Sequence, residues 1–344
     1  MNIFKEFIIQ ELFDFISINN LLNTCNDFKQ YKKQFMYWRF NELNSKRYFN
    51  GFISKKYESI DFYTNIKSMC FEEKKQLSLI WNYNDINEEY IKFLGNVHSL
   101  KIKLAISIID NGITFLGNIH ILDLSGNGNL MDTHLIHLVN IHSLNLSYCN
   151  SITDKGVKLL GRVHILNLGK CNKITDESIQ FLGRVHTLNL RETKITDYGL
   201  KFLDNCHTLD LSFCSKITDE GVSLLGKLYN LTLCGCYNIT NNGIIYLGGI
   251  HTLNLMNCYR ILEDVFKYFW NVHILNITCC GHGYNITDEG MKYLTHHRKL
   301  RTIRLGSCDK ITEYGLCCLE NSNVKILDLN KSYERNMTIQ KTIY

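Results

Sequence analysis

Apolar and polar residues alternate in short runs along most of the chain, and the runs return at a nearly constant interval. Segments such as VHILNL at 163–168 place two leucines two residues apart, so both side chains fall on one face of an extended strand. The spacing between units is 21 or 22 residues over most of the array, which predicts a tandem series of short, half-buried strands. The units start at His98, His120, His142, His164, His186, His207, Tyr229, His251 and His273, with looser units at Arg301 and Lys325 and a degenerate one near Lys75.

A second pattern, I-T-D-x-G, follows the strands and predicts one short helix per unit. In the unit at 152–161, Thr153 suits the helix N-cap and Asp154 suits the positive end of the helix dipole. Gly161 is expected to close the helix, as glycine does just past a helix C-terminus. One strand and one short helix cannot bury a core alone. Stacked units predict an α/β solenoid with parallel strands on the concave side and short, partly 3₁₀ helices on the convex side.

Residues 90–330 resemble the cysteine-containing subtype of the leucine-rich repeat family. The matching pattern is L-x-x-L-x-L-x-x-C followed by I-T-D-x-G-L, and the units here are a few residues shorter than is usual for that subtype. The resemblance implies a leucine-rich repeat horseshoe, which we assign to residues 91–344.

Cysteine recurs at one place in the unit, where the chain turns inward after the strand. Asn127 and Thr193 take this place in other units, and a metal site or a nucleophile would not tolerate such exchanges. A buried structural turn with reduced thiols is the favoured interpretation. The seven cysteines at this position are Cys149, Cys171, Cys214, Cys236, Cys258, Cys280 and Cys308.

Histidine recurs at the start of the units, and a chain of zinc ions along this row is conceivable. A structural zinc ion needs four ligands around one point, whereas the row is expected to stack at about 5 Å per step. We therefore expect a ladder that hydrogen-bonds to loop backbone groups, with no metal and no cofactor.

The first ninety residues lack the repeat and carry helical patterning instead. Residues 5–17 (KEFIIQELFDFIS) place apolar side chains on one side of a helix, and 17–43 continue the pattern. Residues 1–43 resemble an F-box, a helical motif that docks onto the Skp1 adaptor of cullin–RING ubiquitin ligases, although Phe4-Lys5 replaces the usual Leu-Pro. By this resemblance the adaptor-binding residues are Leu12, Phe15, Ile16, Leu21, Leu22 and Cys25.

Two alternatives stay open for the N-terminal region. Residues 1–43 could instead be an amphipathic cap that shields the open edge of the first repeat, which a solenoid needs in any case. Residues 44–90 are charged and aromatic and lack runs of Gly, Ser or Pro, so we expect linking helices and a degenerate first repeat.

Composition narrows the functional class. The net charge of +5 is spread among interspersed bases and acids, and no nucleotide-binding loop, nucleophile elbow or zinc-protease motif is present, so neither a nucleic-acid face nor an enzyme is indicated. No apolar run is long enough to span a membrane, and charged residues interrupt any signal-peptide core, so we expect a cytoplasmic protein. The proline-free composition resembles proteins of giant DNA viruses of amoebae, which implies a host's ligase and the host cytoplasm or nucleus.

The predicted function is recognition of a protein partner, either as the substrate-binding subunit of a Skp1–cullin–F-box ubiquitin ligase or as a scaffold without a link to ubiquitin. About eleven strands would form a concave surface near 50 Å long, which suits a protein better than a small molecule. Large or charged outward residues are the expected contacts. They are Tyr148, Lys170, Arg191, Glu192, Phe213 and Met256 on the concave face, with His296 and Arg298 at an inserted rim loop.

Overall fold

The computed structural model describes residues 98–102, 112–280, 286–320 and 324–327, together with two strands near the N-terminus and residues 92, 95 and 322. Thirteen strands of this part form one sheet in which each strand pairs in parallel with the next in chain order. The strands are β1 (Tyr37–Arg39), β2 (Ser78–Trp81), β3 (Ser99–Ile102), β4 (Ile121–Asp123), β5 (Ser143–Asn145), β6 (Ile165–Asn167), β7 (Thr187–Asn189), β8 (Thr208–Asp210), β9 (Asn230–Thr232), β10 (Thr252–Asn254), β11 (Ile274–Asn276), β12 (Thr302–Arg304) and β13 (Lys325–Leu327).

Equivalent leucines stand opposite one another from β2 to β11, and isoleucine takes their place in β12 and β13. Leu144 pairs with Leu166, and Leu166 with Leu188, so the unit length sets the register directly. All three side chains are 1% exposed. The predicted solenoid with one continuous core is confirmed.

The helices are as short as the unit length requires. Most are a single α-helical turn, and several continue directly into 3₁₀ helix, as at Lys158–Leu160 and Ser223–Leu225. The expectation of short, partly 3₁₀ helices is therefore confirmed. The α-helices are α1 (Asp132–Leu135), α2 (Asp154–Val157), α3 (Asp176–Ile179), α4 (Asp197–Leu200), α5 (Asp219–Val222), α6 (Asn241–Ile244), α7 (Asp288–Thr295) and α8 (Glu313–Glu320). The other 3₁₀ helices are Gly112–Phe115, Ile136–Leu138, Ile245–Leu247 and Glu263–Tyr268.

Each threonine of the T-D-x-G motif caps its helix, while the aspartate does more than the sequence indicated. The Thr218 Oγ1 accepts a hydrogen bond from the Glu220 N–H at 3.3 Å, as an N-cap does. The Asp197 carboxylate, from the preceding unit, accepts bonds from the Thr218 N–H at 2.8 Å and from its hydroxyl at 2.6 Å. The same arrangement joins Asp154 to Thr175. Each aspartate therefore fixes the start of the next helix as well as its own.

The glycines stand at the C-cap of the 3₁₀ helices, as predicted, but for a different physical reason. Gly161 and Gly226 have φ of −62° and −63°, which is ordinary right-handed backbone. A Cβ atom at Gly161 would collide with the carbonyl oxygen of Phe181 in the next unit. The glycines therefore end the helices as expected, but close stacking of adjacent units, and not a left-handed backbone, is what excludes a side chain here.

The N-terminal prediction is corrected at one point. Within the segment expected to be helical, Tyr37–Arg39 form β1 and pair with β2. Tyr and Trp favour extended backbone, and an open sheet edge offers this segment main-chain partners. The proposed adaptor-binding residues lie outside the described residues; they are Leu12, Phe15, Ile16, Leu21, Leu22 and Cys25.

No helix within the described ranges is both long enough and apolar enough to cross a bilayer.

Candidate protein-binding surfaces

The recurring cysteines form buried turns, as predicted. The Cys171 thiol donates to the Leu146 carbonyl oxygen in the preceding unit at 3.1 Å. Where the cysteine is replaced, Asn127 Nδ2 donates to the Leu124 oxygen at 2.6 Å and Thr193 Oγ1 to the Leu190 oxygen at 2.6 Å. The position therefore calls for a small buried donor directed at a carbonyl near the end of a strand.

Burial makes these thiols unreactive. It raises the pKa of Cys149 and of Cys171 to about 12, so both stay protonated at neutral pH. A thiolate is the form that attacks electrophiles or binds metals. Among the described residues, no three His, Cys, Asp or Glu side chains are grouped so as to hold a metal ion.

The histidines at the unit starts form a stacked ladder. Ring centroids lie 4.4 Å apart between His120 and His142 and 4.1 Å apart between His251 and His273. Tyr229 continues the stack between its neighbours, 4.3 Å from His251. The predicted spacing is confirmed, but the expected hydrogen bonds to the backbone are not made by every histidine. Nδ1 of His273 donates to the Asn271 carbonyl oxygen at 2.7 Å, whereas Nδ1 of His186, His207 and His251 bonds the adjacent threonine hydroxyl.

The concave asparagines are partly scaffolding. Asn145 Oδ1 accepts the Ser147 N–H at 3.0 Å, and Asn189 Oδ1 accepts the Arg191 N–H at 2.9 Å. These bonds are the Asx turns that end each strand. In these units the amide oxygen is therefore already used by the backbone.

One residue in each unit takes a left-handed backbone just before the buried turn position. Glycine adopts it readily, and Gly126 and Gly235 do so with φ of 76° and 66°. Four successive units between them carry larger residues in the same conformation, at roughly 1–2 kcal/mol each. Asn257, Cys279 and Ser307 take the same conformation in three later units, so the turn belongs to the repeat, and the four units differ in placing large side chains on it. The four are Tyr148 (φ 61°), Lys170 (φ 62°), Glu192 (φ 54°) and Phe213 (φ 58°).

The backbone of these turns is anchored to the next unit. The Lys170 N–H donates to the Arg191 carbonyl oxygen at 2.7 Å, and the Phe213 N–H donates to the Cys234 oxygen at 2.8 Å. The parallel hydrogen bonding therefore extends past the strands and fixes the direction in which each turn side chain leaves the backbone.

Five side chains at this edge form one connected group, which we call the turn patch: Tyr148, Lys170, Arg191, Glu192 and Phe213. Lys170 Nζ lies 4.8 Å from the Tyr148 ring centroid and 3.4 Å from Glu192 Oε1. That oxygen also accepts from Arg191 Nε at 3.1 Å. Arg191 Cζ lies 4.6 Å from the Phe213 ring centroid. The chain of contacts crosses four units without a break.

The turn patch is accessible and already organised. Tyr148 is 52% exposed and the other four side chains are half-buried. The Phe213 ring lies against Gly235, where a Cβ would collide with it. The pKa of Lys170 lies above its ordinary value, mainly because of its hydrogen bond with Tyr148. A partner would meet side chains whose rotamers are already restricted, which lowers the entropic cost of binding.

The remaining predicted contacts lie elsewhere. Met256 is half-buried on the same edge, two units beyond Phe213. His296 and Arg298 are exposed, but they follow α7 and precede β12, at the edge where strands begin. The structure therefore joins five of the eight predicted residues and separates the last two from them.

Two features of these surfaces, the left-handed turns and a row of cations, are absent from the sequence predictions. The first is the left-handed turn: Tyr, Lys, Glu and Phe do not favour a positive φ, so the sequence of these four units does not predict it. A row of cations two or three residues before the unit starts was visible in the sequence, since Arg162 and Arg184 occupy equivalent places.

Comparison with known proteins supports the architecture. A family profile described as Leucine Rich repeat matches residues 137–161 and 207–226. A chain of the yeast Rad7 and Elc1 complex is similar in structure, with a TM-score of 0.59, 17% identity and 79% of each chain covered. An internalin from Listeria monocytogenes gives a TM-score of 0.48 at 17% identity, over 78% of this chain and 94% of its own. No curated protein matches the sequence. The chain is thus a leucine-rich repeat solenoid by fold.

Proposed function

We propose that this chain is a non-catalytic recognition protein that binds a protein partner through the turn patch and the adjoining concave strands. The observation that carries the proposal is the run of four large left-handed residues whose side chains connect through Lys170, Glu192 and Arg191. Aromatic and arginine side chains held in fixed positions are typical of the residues that dominate protein interfaces. A buried catalytic group is not needed for this role.

Partner capture by the full-length chain tests the turn patch. Proteins retained from cell extract are identified by mass spectrometry, and the affinity of each purified candidate is then measured. The double variant Arg191→Glu/Phe213→Ala should weaken binding about tenfold or more with an unchanged melting temperature, because both anchors are lost while the core is intact. The matched control is Lys155→Glu/Tyr198→Ala, which changes one exposed base and one exposed aromatic residue on the convex helices. Equal loss in both variants would contradict the assignment.

We further propose that residues 1–43 link the bound partner to a Skp1-type adaptor, so that the protein selects substrates for a cullin–RING ubiquitin ligase. This part rests on the F-box resemblance of the N-terminal segment. The alternative is a repeat scaffold with no connection to ubiquitin. A protein with this role would act in the cytoplasm or nucleus of the cell that supplies the ligase.

Co-purification with Skp1 separates the two alternatives. The full chain should retain Skp1, and the double variant Phe15→Asp/Leu22→Asp should not, because charged residues would replace the apolar adaptor contacts that the F-box resemblance implies. Point variants are preferable to removing residues 1–43, since that deletion would also remove β1 from the sheet. Absence of any Skp1 complex with the unaltered chain would favour the scaffold.

A further inference from the structure

We infer that the edge of the sheet where strands begin is a second interaction surface, which binds an acidic polypeptide segment. This strand-entry edge consists of the residue that starts each unit and the residues two and three before it. In its described part it holds one carboxylate, Asp204, against seven cationic side chains. The seven are Arg162, Arg184, Lys227, Arg298, Lys299, Arg301 and Lys325.

The cations of this edge are exposed and lack acidic partners. All seven are exposed, and within the described residues none lies in an ion pair. Some bases on other faces lie beside carboxylates, as in the pairs Lys170–Glu192 and Lys292–Glu289. The first-turn acids of the helices, such as Glu177 on α3, lie on the convex face instead. The edge therefore presents an uncompensated positive potential, which attracts a negatively charged partner.

The histidine ladder runs along the same edge and adds hydrogen-bonding capacity. Its ring faces are covered by neighbouring rings at 4.1–4.8 Å, so mainly the ring edges remain for a ligand. Single-stranded nucleic acids need open aromatic faces on which bases stack. Ring N–H groups, guanidinium groups and ammonium groups instead suit carboxylates. The chemistry of this edge thus favours an acidic polypeptide over a nucleic acid.

Acid should strengthen binding at this edge. In neutral His273, Nδ1 carries the hydrogen that bonds the Asn271 oxygen, so Nε2 has only a lone pair to offer. Protonation converts Nε2 into a charged donor. The groups facing the ladder are the seven cations, Asp204, the Tyr229 ring, and the hydroxyls of Thr187, Thr208 and Thr252. All but one of the charged groups repel added positive charge, and a bound carboxylate would relieve that repulsion.

The test measures binding of a fluorescent poly-glutamate peptide to the full chain at constant ionic strength. The variant Arg162→Glu/Arg184→Glu should weaken binding about tenfold, since two attractive contacts become repulsive. The control Lys155→Glu/Lys216→Glu makes the same change in net charge at exposed positions away from this edge and should bind as the unaltered chain does. Equal losses in the two variants would overturn the site.

Two further measurements identify the partner class. Affinity for the peptide should rise several-fold between about pH 7.5 and pH 5.5, and an unchanged affinity would contradict the role of the ladder. Tighter binding of a single-stranded oligonucleotide, or of anionic lipid vesicles, than of the peptide at equal charge would overturn the assignment to an acidic polypeptide. Because the variants leave the turn patch and residues 1–43 intact, failure here would not bear on the proposed function.

Discussion

At the scale of single residues, the repeated cysteine contributes a buried hydrogen-bond donor, and the repeated histidine contributes a ring that stacks on its neighbours. The buried turn accepts Cys, Asn or Thr because each supplies a donor to a carbonyl group that has lost contact with water. Removing the donor should therefore cost more than changing the side-chain volume.

Substitution of Cys171 tests this. Cys171→Val should lower the free energy of unfolding by about 1 kcal/mol, because the Leu146 oxygen would lose one of its two donors and keep only the Cys149 N–H at 3.1 Å. Cys171→Thr keeps a buried donor, which at the equivalent Thr193 bonds the carbonyl oxygen three residues earlier, and should cost less. Urea denaturation measures both. Equal losses would mean that packing, and not the hydrogen bond, decides this position.

The ladder predicts a pH dependence of stability. Burial, and then the charge of the adjacent imidazole, lowers the pKa of His98 and of His251 below the ordinary value of 6.5. The unfolded chain therefore binds more protons than the folded chain as the pH falls through 6.5, so stability is full above that pH and is lost below it. Urea unfolding at about pH 7.5 and pH 5.5 should show the loss.

A tyrosine substitution provides the control for this effect. His251→Tyr should fold, since Tyr229 already stacks in the ladder, and it should lose less stability in acid. An unchanged pH dependence in this variant would assign the effect to other groups.

At the scale of the element, helices of a single turn cannot be stable by themselves, because forming the first turn is the unfavourable step. Here the start of each helix is fixed from outside, by the aspartate of the preceding unit. Stability of a helix therefore depends on its neighbour, which couples adjacent units into one cooperative array.

Substitution of Asp197 tests this coupling. Asp197→Ala should lower the free energy of unfolding by about 2 kcal/mol, through loss of two bonds to Thr218. Asp197→Asn should cost less, because an amide oxygen can still accept from a backbone N–H, as Asn241 does from Leu262 at 2.8 Å. Calorimetric or urea unfolding of the two variants measures the difference. Similar losses in both would indicate that the carboxylate charge matters more than the bond.

At the scale of the whole molecule, the array has a well-buried middle and a less covered C-terminal side. Leu188 and Leu209 in the middle strands are each 1% exposed, whereas Ile326 in β13 is only partly buried. Local opening should therefore begin at β13, because fewer contacts hold it. Amide hydrogen exchange should be faster in β13 than in β7 and β8, and equal protection across the sheet would contradict this.

The sequence predicts the features that residues within one unit determine, and it fails for features that depend on particular contacts between units. The alternation at Leu144 and Leu146 and the constant unit length were enough to predict strands, register and core, because each unit repeats the same local requirement. Thr153 was recognisable as a cap for the same reason. The place of Gly161 at the end of a helix was predictable, but the reason for glycine was not, because what excludes a side chain there is a carbonyl group one unit away. β1 was missed because its partner strand lies about forty residues further along the chain.

The candidate surfaces also have some features that the sequence predicts and others that only the structure shows. Large outward residues such as Arg191 and Phe213 could be selected from residue type alone, and the row of unit-start histidines could be predicted to stack. That five of these residues form one connected patch, while Arg298 belongs to the opposite edge, followed only from the three-dimensional arrangement. The sequence by itself determined that these units stack and which side chains they bury, because those properties repeat with the chain. Tertiary structure alone decided which charges find partners across units and which remain open, because that depends on distances between residues 20 or more positions apart.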